Sequence, residues 1–236
     1  MGNNILGIIP ARGGSKRIPR KNVKLLHGKP LITYTFDVAK KSSVLSRLIV
    51  STDDQEVMAI AKQHGIEVPF IRPAEFATDT ATDLHWVSHA VTELRRQGWN
   101  ADYVVILRPT QPLRKVEDID KAVNLILEKK LSSVRSLTRV KVHPHWMKTL
   151  DGDITKPFIE TGKPEEAVRS QDLPPLYHLN GIVDVIDVRN LEGTSLYGQK
   201  MGYILIESER AVDIDTEQDF EYLEFVMSRN PEIHKV

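Results

Sequence analysis

Cysteine is absent from the 236 residues, which excludes disulfides, thiolate metal ligands and a cysteine nucleophile together. Net charge is absent too, because 32 Lys and Arg balance 32 Asp and Glu. Long-range attraction to nucleic acid or to an anionic membrane therefore gains nothing from overall charge. Apolar runs are short: none approaches the ~18 residues of a transmembrane helix, and the first residues lack the charged and apolar regions of a signal peptide. The expectation is a soluble cytoplasmic protein of one domain, long enough to bury a substantial core. Two familiar phosphate loops are missing, since neither G-x-x-x-x-G-K-[ST] nor G-x-G-x-x-G occurs. There is no internal repeat or low-complexity segment, and Ser15 has no His and acid near it in sequence to make it a nucleophile.

What is present centres on Ile8 to Asn22. An apolar run (Ile5, Leu6, Ile8, Ile9) turns at Pro10 into a loop that carries Arg12, Lys16, Arg17, Arg20 and Lys21 around Gly13-Gly14-Ser15. Glycines let backbone approach a ligand closely, and the amides around them can converge on an anion. So many cations in one loop repel one another unless something strongly anionic sits among them, and a nucleoside triphosphate is the obvious small molecule. A solvated basic turn is the plainer alternative.

Further along, strand and helix patterns alternate. Lys29-Pro30 opens a helix to about Lys41; Arg47 to Thr52 reads as a strand whose following Asp53-Asp54 caps a helix ending at Gly65. Val68 to Ile71 reads as another strand. Leu84, Val87, Val91 and Leu94 share a helical face, Tyr103 to Leu107 is an uninterrupted apolar strand, and Val116, Ile119, Val123 and Ile126 repeat the helical spacing. This predicts an α/β fold, a Rossmann-like mostly parallel sheet with helices on both faces and ligands at the carboxyl ends of its strands. Ser133 to Val142 looks extended, Asp151-Gly152-Asp153 suggests a hairpin, and residues 156–176 are polar with four prolines. That segment suits a flap or an arm on a second subunit. Ile182 to Val188 and Tyr203 to Ile206 restore the sheet, and Phe220, Leu223 and Met227 mark a last helix.

Asp213 and Asp215 flank Ile214, so in an extended chain both carboxylates face one point, as a hard cation such as Mg²⁺ requires. Thr216-Glu-Gln-Asp219 also matches a capping box, and acidic residues before a helix are favoured by its dipole, so spacing alone leaves both readings open. His143 and His145 have no third ligand at a diagnostic spacing and are expected at the surface or at an interface.

A-R-G-G-S-K-R-I-P-R-K-N, residues 11–22, resembles the N-terminal signature of the cytidylyltransferases that activate N-acylneuraminate-type sugars, A-R-x-G-S-K-x-x-x-x-K-N. The resemblance is nearly full length. It implies a fold of the nucleotide-diphospho-sugar transferase type and a homodimer whose inserted dimerisation and sugar-site arm lies at about 135–180. It implies CMP transfer from CTP to the anomeric hydroxyl of a nonulosonic acid, the nearest alternative being the eight-carbon 3-deoxy-manno-octulosonate. An idle nucleotide-binding dimer and a transferase acting on sugar phosphates are readings of other classes. By resemblance, Ala11, Arg12, Gly13, Gly14, Ser15, Lys16, Lys21, Asn22, Arg72, Asp79 and Thr80 belong to the nucleotide site. D-I-D-T-E-x-D matches the family's metal motif at Asp213 and Asp215, with Mg²⁺ as cofactor, and Arg12, Lys21 and Asp215 are the expected catalytic groups. R-x-Q-D-L-P-x-x-Y-x-x-N-G is similar to the sugar-site segment and assigns Arg169, Gln171, Tyr177 and Asn180 to it. R-P-T-Q-P-L-R adds Arg108 and Gln111; the family usually has Gln where this chain has Arg108, so the role of that Gln does not transfer.

Overall fold

A computed structural model describes residues 2–159, 169–230 and 233. The first apolar run becomes β1 (Ile5–Pro10), flanked by β4 (Arg47–Ser51) and β5 (Tyr103–Ile106), both parallel to it. Between β1 and β4 come the short antiparallel pair β2 (Leu25–Leu26) and β3 (Lys29–Pro30) and helix α1 (Leu31–Ala39). The remaining helices are α2 (Gln55–Gln63), α3 (Asp83–Arg96), α4 (Val116–Lys129) and α5 (Glu217–Arg229). Strands β6 (Ser133–Arg139), β9 (Tyr177–Asp187) and β10 (Met201–Leu205) complete the main sheet, in the order β10-β6-β9-β5-β1-β4.

Alternation along the strands divides the core. Ile5, Ile9, Val50 and Val105 pack with Phe36 of α1, Val57 of α2 and Val123 of α4 on one face. Leu6, Ile8, Ile49, Val104 and Ile106 pack with Trp86, Val87 and Leu94 of α3 on the other. Each of these side chains is buried, which stabilises the fold by about 1.5–3 kcal/mol apiece relative to exposure. A third cluster seats α5 through Phe220, Leu223 and Met227 against Leu31, Tyr34 and Ile214. Helix caps follow the sequence: the Asp54 carboxylate accepts from the amides of Glu56 and Val57, and Thr216 with Asp219 closes a capping box on α5.

The main sheet is mostly parallel, as expected, with β9 antiparallel to both neighbours. One segment differs from the expectation. Val68 to Ile71 is not a strand: Pro69 has no amide to donate, and the segment is tied to β4 only at its ends, by Val50 N–H to Glu67 O (2.8 Å) and Arg72 N–H to Thr52 O (2.8 Å).

The chain beyond β6 forms the hairpin β7 (Lys148–Asp151) and β8 (Ile154–Pro157), turning at Gly152 with φ of +58°. It exposes Leu150 and Ile154 to solvent. The expected arm at 156–176 lies partly outside the described residues, at 160–168. His145 is buried with no hydrogen-bond partner for either ring nitrogen, so it is not a surface histidine. No described helix is long and apolar enough to cross a membrane.

Candidate active site

The cationic loop leaves the carboxyl end of β1 and is pinned from several sides. Ala11 is buried and its amide donates to Ser51 O (3.0 Å), while the Asn22 side chain donates to Arg12 O (3.1 Å). Ile18, fully buried, anchors the middle of the loop. The Gly13 amide donates to Asp53 (2.9 Å), and a Cβ there would stand 3.0 Å from an Asp54 carboxylate oxygen, so a larger residue would have to displace the Asp54 side chain.

Carboxylates answer the loop's positive charge. Asp79 receives Arg12 and Lys16, each at 2.5 Å, and their hydrogen bonds hold its carboxyl below the usual range. Asp215 pairs with Arg17 (2.9 Å) and Lys21 (3.5 Å), and Lys21 also donates to Ile214 O at 2.5 Å. Lys21 thereby clasps the peptide between Asp213 and Asp215. Partial desolvation pushes the Asp213 carboxyl up; a hydrogen bond from Thr110 opposes this and the neighbouring charge of Asp215 adds to it.

An open cleft of about 750 Å³ is lined by Arg12, Ser15, Lys16, Lys21, Asn22 and Asp215 together with Arg72, Asp79, Trp86 and Arg108, while Asp213 stands off its lining. Arg72 is buried, donating to Ser51 Oγ (3.0 Å) and Ser51 O (2.6 Å) with its guanidinium 5.2 Å from the Trp86 ring centroid. Burial lowers its pKa to about 10, against an opposing pull from Asp53, so it remains a cation near neutrality.

The expected sugar-site residues divide differently. Arg108 reaches the cleft, held by Asp184 (2.7 Å) and Asp83. Gln111 and Asn180 are buried and turned into the protein: Gln111 donates to Asn180 O (2.8 Å), and the Asn180 amide is occupied by Ser136, Thr138 and the Ile182 amide. They shape the β6–β9 junction in place of offering polar atoms to the cleft. Arg169 pairs with Asp172 (3.0 Å), and Gln171 and Tyr177 are exposed; none of the three is on the cleft lining. Gly13, Gly14 and Thr80 also stand off the lining, Thr80 with its hydroxyl 3.2 Å from that of Thr78. Sequence reasoning missed Asp53, Asp83, Trp86 and Asp184. Only Asp184 left a signal, as a lone carboxylate in the apolar run I-V-D-V-I.

The chain is 36% identical over 232 residues to CMP-N,N'-diacetyllegionaminic acid synthase of Legionella pneumophila, covering 97% of this chain and 98% of the relative. It is 30% identical to pseudaminic acid cytidylyltransferase of Campylobacter jejuni, covering 96% and 97% of the two chains. It is 31% identical to N-acylneuraminate cytidylyltransferase of Escherichia coli, covering 94% of this chain and 51% of that protein. A solved CMP:2-keto-3-deoxy-manno-octonic acid synthetase complexed with CTP shares the fold at 15% identity, with a TM-score of 0.72 over 96% of this chain and 99% of that one. The sequence pattern of the cytidylyltransferases matches residues 6–226, and the chain is a nucleotidyltransferase of the Cytidylyltransferase family.

Proposed function

We propose that this cytidylyltransferase joins CMP from CTP to the anomeric hydroxyl of an N-acylneuraminate-type nonulosonic acid and releases pyrophosphate. The carrying observation is that Arg12, Lys16 and Lys21 of the first loop and Asp215, remote from it in sequence, face one cleft at the carboxyl ends of β1 and β5. The relatives named for legionaminic, pseudaminic and neuraminic acids support a nonulosonic acid as acceptor and make the first two as eligible as the third. The sugar oxygen forms a bond to the α-phosphorus of CTP, the bond from that phosphorus to the pyrophosphate oxygen breaks, and the hydroxyl proton leaves to solvent. Arg12 and Lys16 hold the triphosphate while Lys21 offsets the charge growing on pyrophosphate, so the catalysis is positioning and charge stabilisation.

Asp213 and Asp215 fit Mg²⁺: they are alternate carboxylates, and desolvation raises the Asp213 pKa with the nearby charge of Asp215 adding to it. Among the described residues no third His, Cys, Asp or Glu completes a cage. That suits an ion usually held by one or two carboxylates plus phosphate oxygens and water. Mg²⁺ bound there supplies positive charge to the phosphates and acidifies the attacking hydroxyl. A homodimer and a cytoplasmic location are part of the same reading.

The test is CTP with a panel of free sugar acids, eight-carbon and nine-carbon, scored for pyrophosphate and for the CMP-sugar. A nonulosonic acid turned over in preference to the eight-carbon acid is the expected result. Absence of turnover, or turnover only with a phosphorylated sugar, would overturn it.

A further inference from the structure

Asp184 has no exposed surface although it stands in the middle of β9. A carboxylate so placed costs several kcal/mol unless its partners are well arranged. Here Arg108 donates to one oxygen at 2.7 Å, Arg135 to the other at 2.9 Å, and the Tyr197 hydroxyl lies 3.4 Å away. Burial alone would raise the Asp184 pKa, and the two guanidinium groups outweigh it and hold the carboxyl low. The Arg135 guanidinium also rests 3.9 Å from the Tyr197 ring centroid. From the other side Arg108 pairs with Asp83 at the start of α3, whose carboxylate receives the Trp86 indole N–H at 3.1 Å. Of these four charged groups only Arg108 and Asp83 line the cleft; Asp184 and Arg135 stand behind them.

Resting on the reading of a sugar-acid cytidylyltransferase, we propose that Arg108 is a specificity residue for the acceptor and Asp184 its positioning residue, together presenting N–H donors to an uncharged oxygen of the sugar. That oxygen is an acylamino carbonyl or a hydroxyl. The pairing decides against the sugar carboxylate: an arriving anion competes with Asp83 and Asp184 for donors that both already hold, and the further cation beside them, Arg114, is buried off the cleft with its N–H groups given to Ile182 O, Thr35 and Arg108 O. An uncharged oxygen needs only a free N–H. Arg108 spends one N–H on each carboxylate, leaving Nε–H and one N–H on each terminal nitrogen of its five. A fork clamped at both ends also has little rotamer freedom left to lose when a ligand arrives.

A merely structural cluster would tie β5, β6, β9 and α3 together and leave acceptor choice alone. The full chain is therefore assayed with CTP and two acids, an N-acylated nonulosonic acid and its analogue with hydroxyl in place of the acylamino group. Arg108→Met should raise KM for the N-acylated acid about tenfold or more, as loss of one charge-assisted hydrogen bond predicts, with KM for CTP and kcat little changed. Arg108→Lys keeps the charge without the fork and should fall between. Asp184→Asn should shift acceptor KM the same way and add nothing in the Arg108→Met background, because its effect passes through Arg108. A penalty that vanishes with the hydroxyl analogue identifies the acylamino carbonyl; one that persists identifies a hydroxyl. Unchanged acceptor KM in Arg108→Met, or additive losses that raise KM for CTP equally and lower Tm, would overturn the inference while leaving the function intact. A wild-type chain that released no pyrophosphate with either acid would overturn both.

Discussion

Lys21 touches two groups at the proposed metal site, the peptide carbonyl of Ile214 and the carboxylate of Asp215. A cation aimed at a departing pyrophosphate helps more as charge grows, so its removal should appear in turnover before it appears in binding. Lys21→Ala is expected to lower kcat about 100-fold while changing CTP affinity far less, the scale of losing one preorganised stabiliser of developing charge. Rates from single turnovers set beside CTP titrations decide this, and equal losses in the two would remove the assignment. Asp215 invites a matching test, because capping of α5 is carried by Thr216 and Asp219 and not by its side chain. Asp215→Asn should therefore melt like wild type yet lose most activity at low Mg²⁺; an unaltered Mg²⁺ dependence would sink the metal assignment. The pH response of Asp184 follows from its lowered pKa. Its contribution is complete above the unfolded value of about 3.9 and is lost as pH falls through the lower folded value. The stability gap between wild type and Asp184→Asn should thus be present at neutral pH and shrink under acid, in urea titrations from neutral pH into that range.

Elements were legible where one force set them. The uninterrupted strands around β1, the Asp54 cap, the glycine turn of the β7–β8 hairpin and the capping box of α5 each follow from a local pattern that the tertiary structure reinforces. Thr216→Ala should accordingly cost about 1 kcal/mol, read as a lower midpoint in urea with unchanged slope. The direction of β9 was not legible, since a strand buried on both faces shows the same apolar run whichever way it points. Nor was its bulge, where register shifts between Arg135 and Leu137 and Gly181 takes φ of +70° beneath Arg108. That bulge decides the fate of Asn180 and Gln111: polar residues in a loop-like motif read as ligand contacts, but here they satisfy buried backbone and side-chain groups. The cationic loop was the opposite case. Its cations had to find carboxylates, and Asp79 and Asp215 were already candidates for the same site.

At the scale of the molecule, the face of the sheet that α3 covers is left open at its β10 end. Strand pairing places Met201 beside Ser133, Tyr203 beside Arg135 with Asp184 beyond it, Leu205 beside Leu137 with Leu179 beyond it, and Tyr177 beside Arg139, all pointing one way. Tyr177, Leu179, Met201, Tyr203 and Leu205 are among the exposed large side chains, and β10 is the edge strand of the sheet. Monomeric proteins rarely leave so continuous an apolar surface, and an open edge beside it invites pairing. A second copy meeting the same face across a two-fold axis covers both with one isologous contact, which is the homodimer proposed above. The row Tyr203–Arg135–Asp184 ends behind Arg108, so loss of the contact should be felt at the acceptor site before the nucleotide site. Tyr203→Glu is expected to sediment as a monomer at micromolar concentration, to retain CTP binding, and to raise acceptor KM several-fold. Wild-type protein that sediments as a fully active monomer would refute the dimer, and a monomeric Tyr203→Glu with unchanged acceptor KM would cut the link between assembly and Arg108.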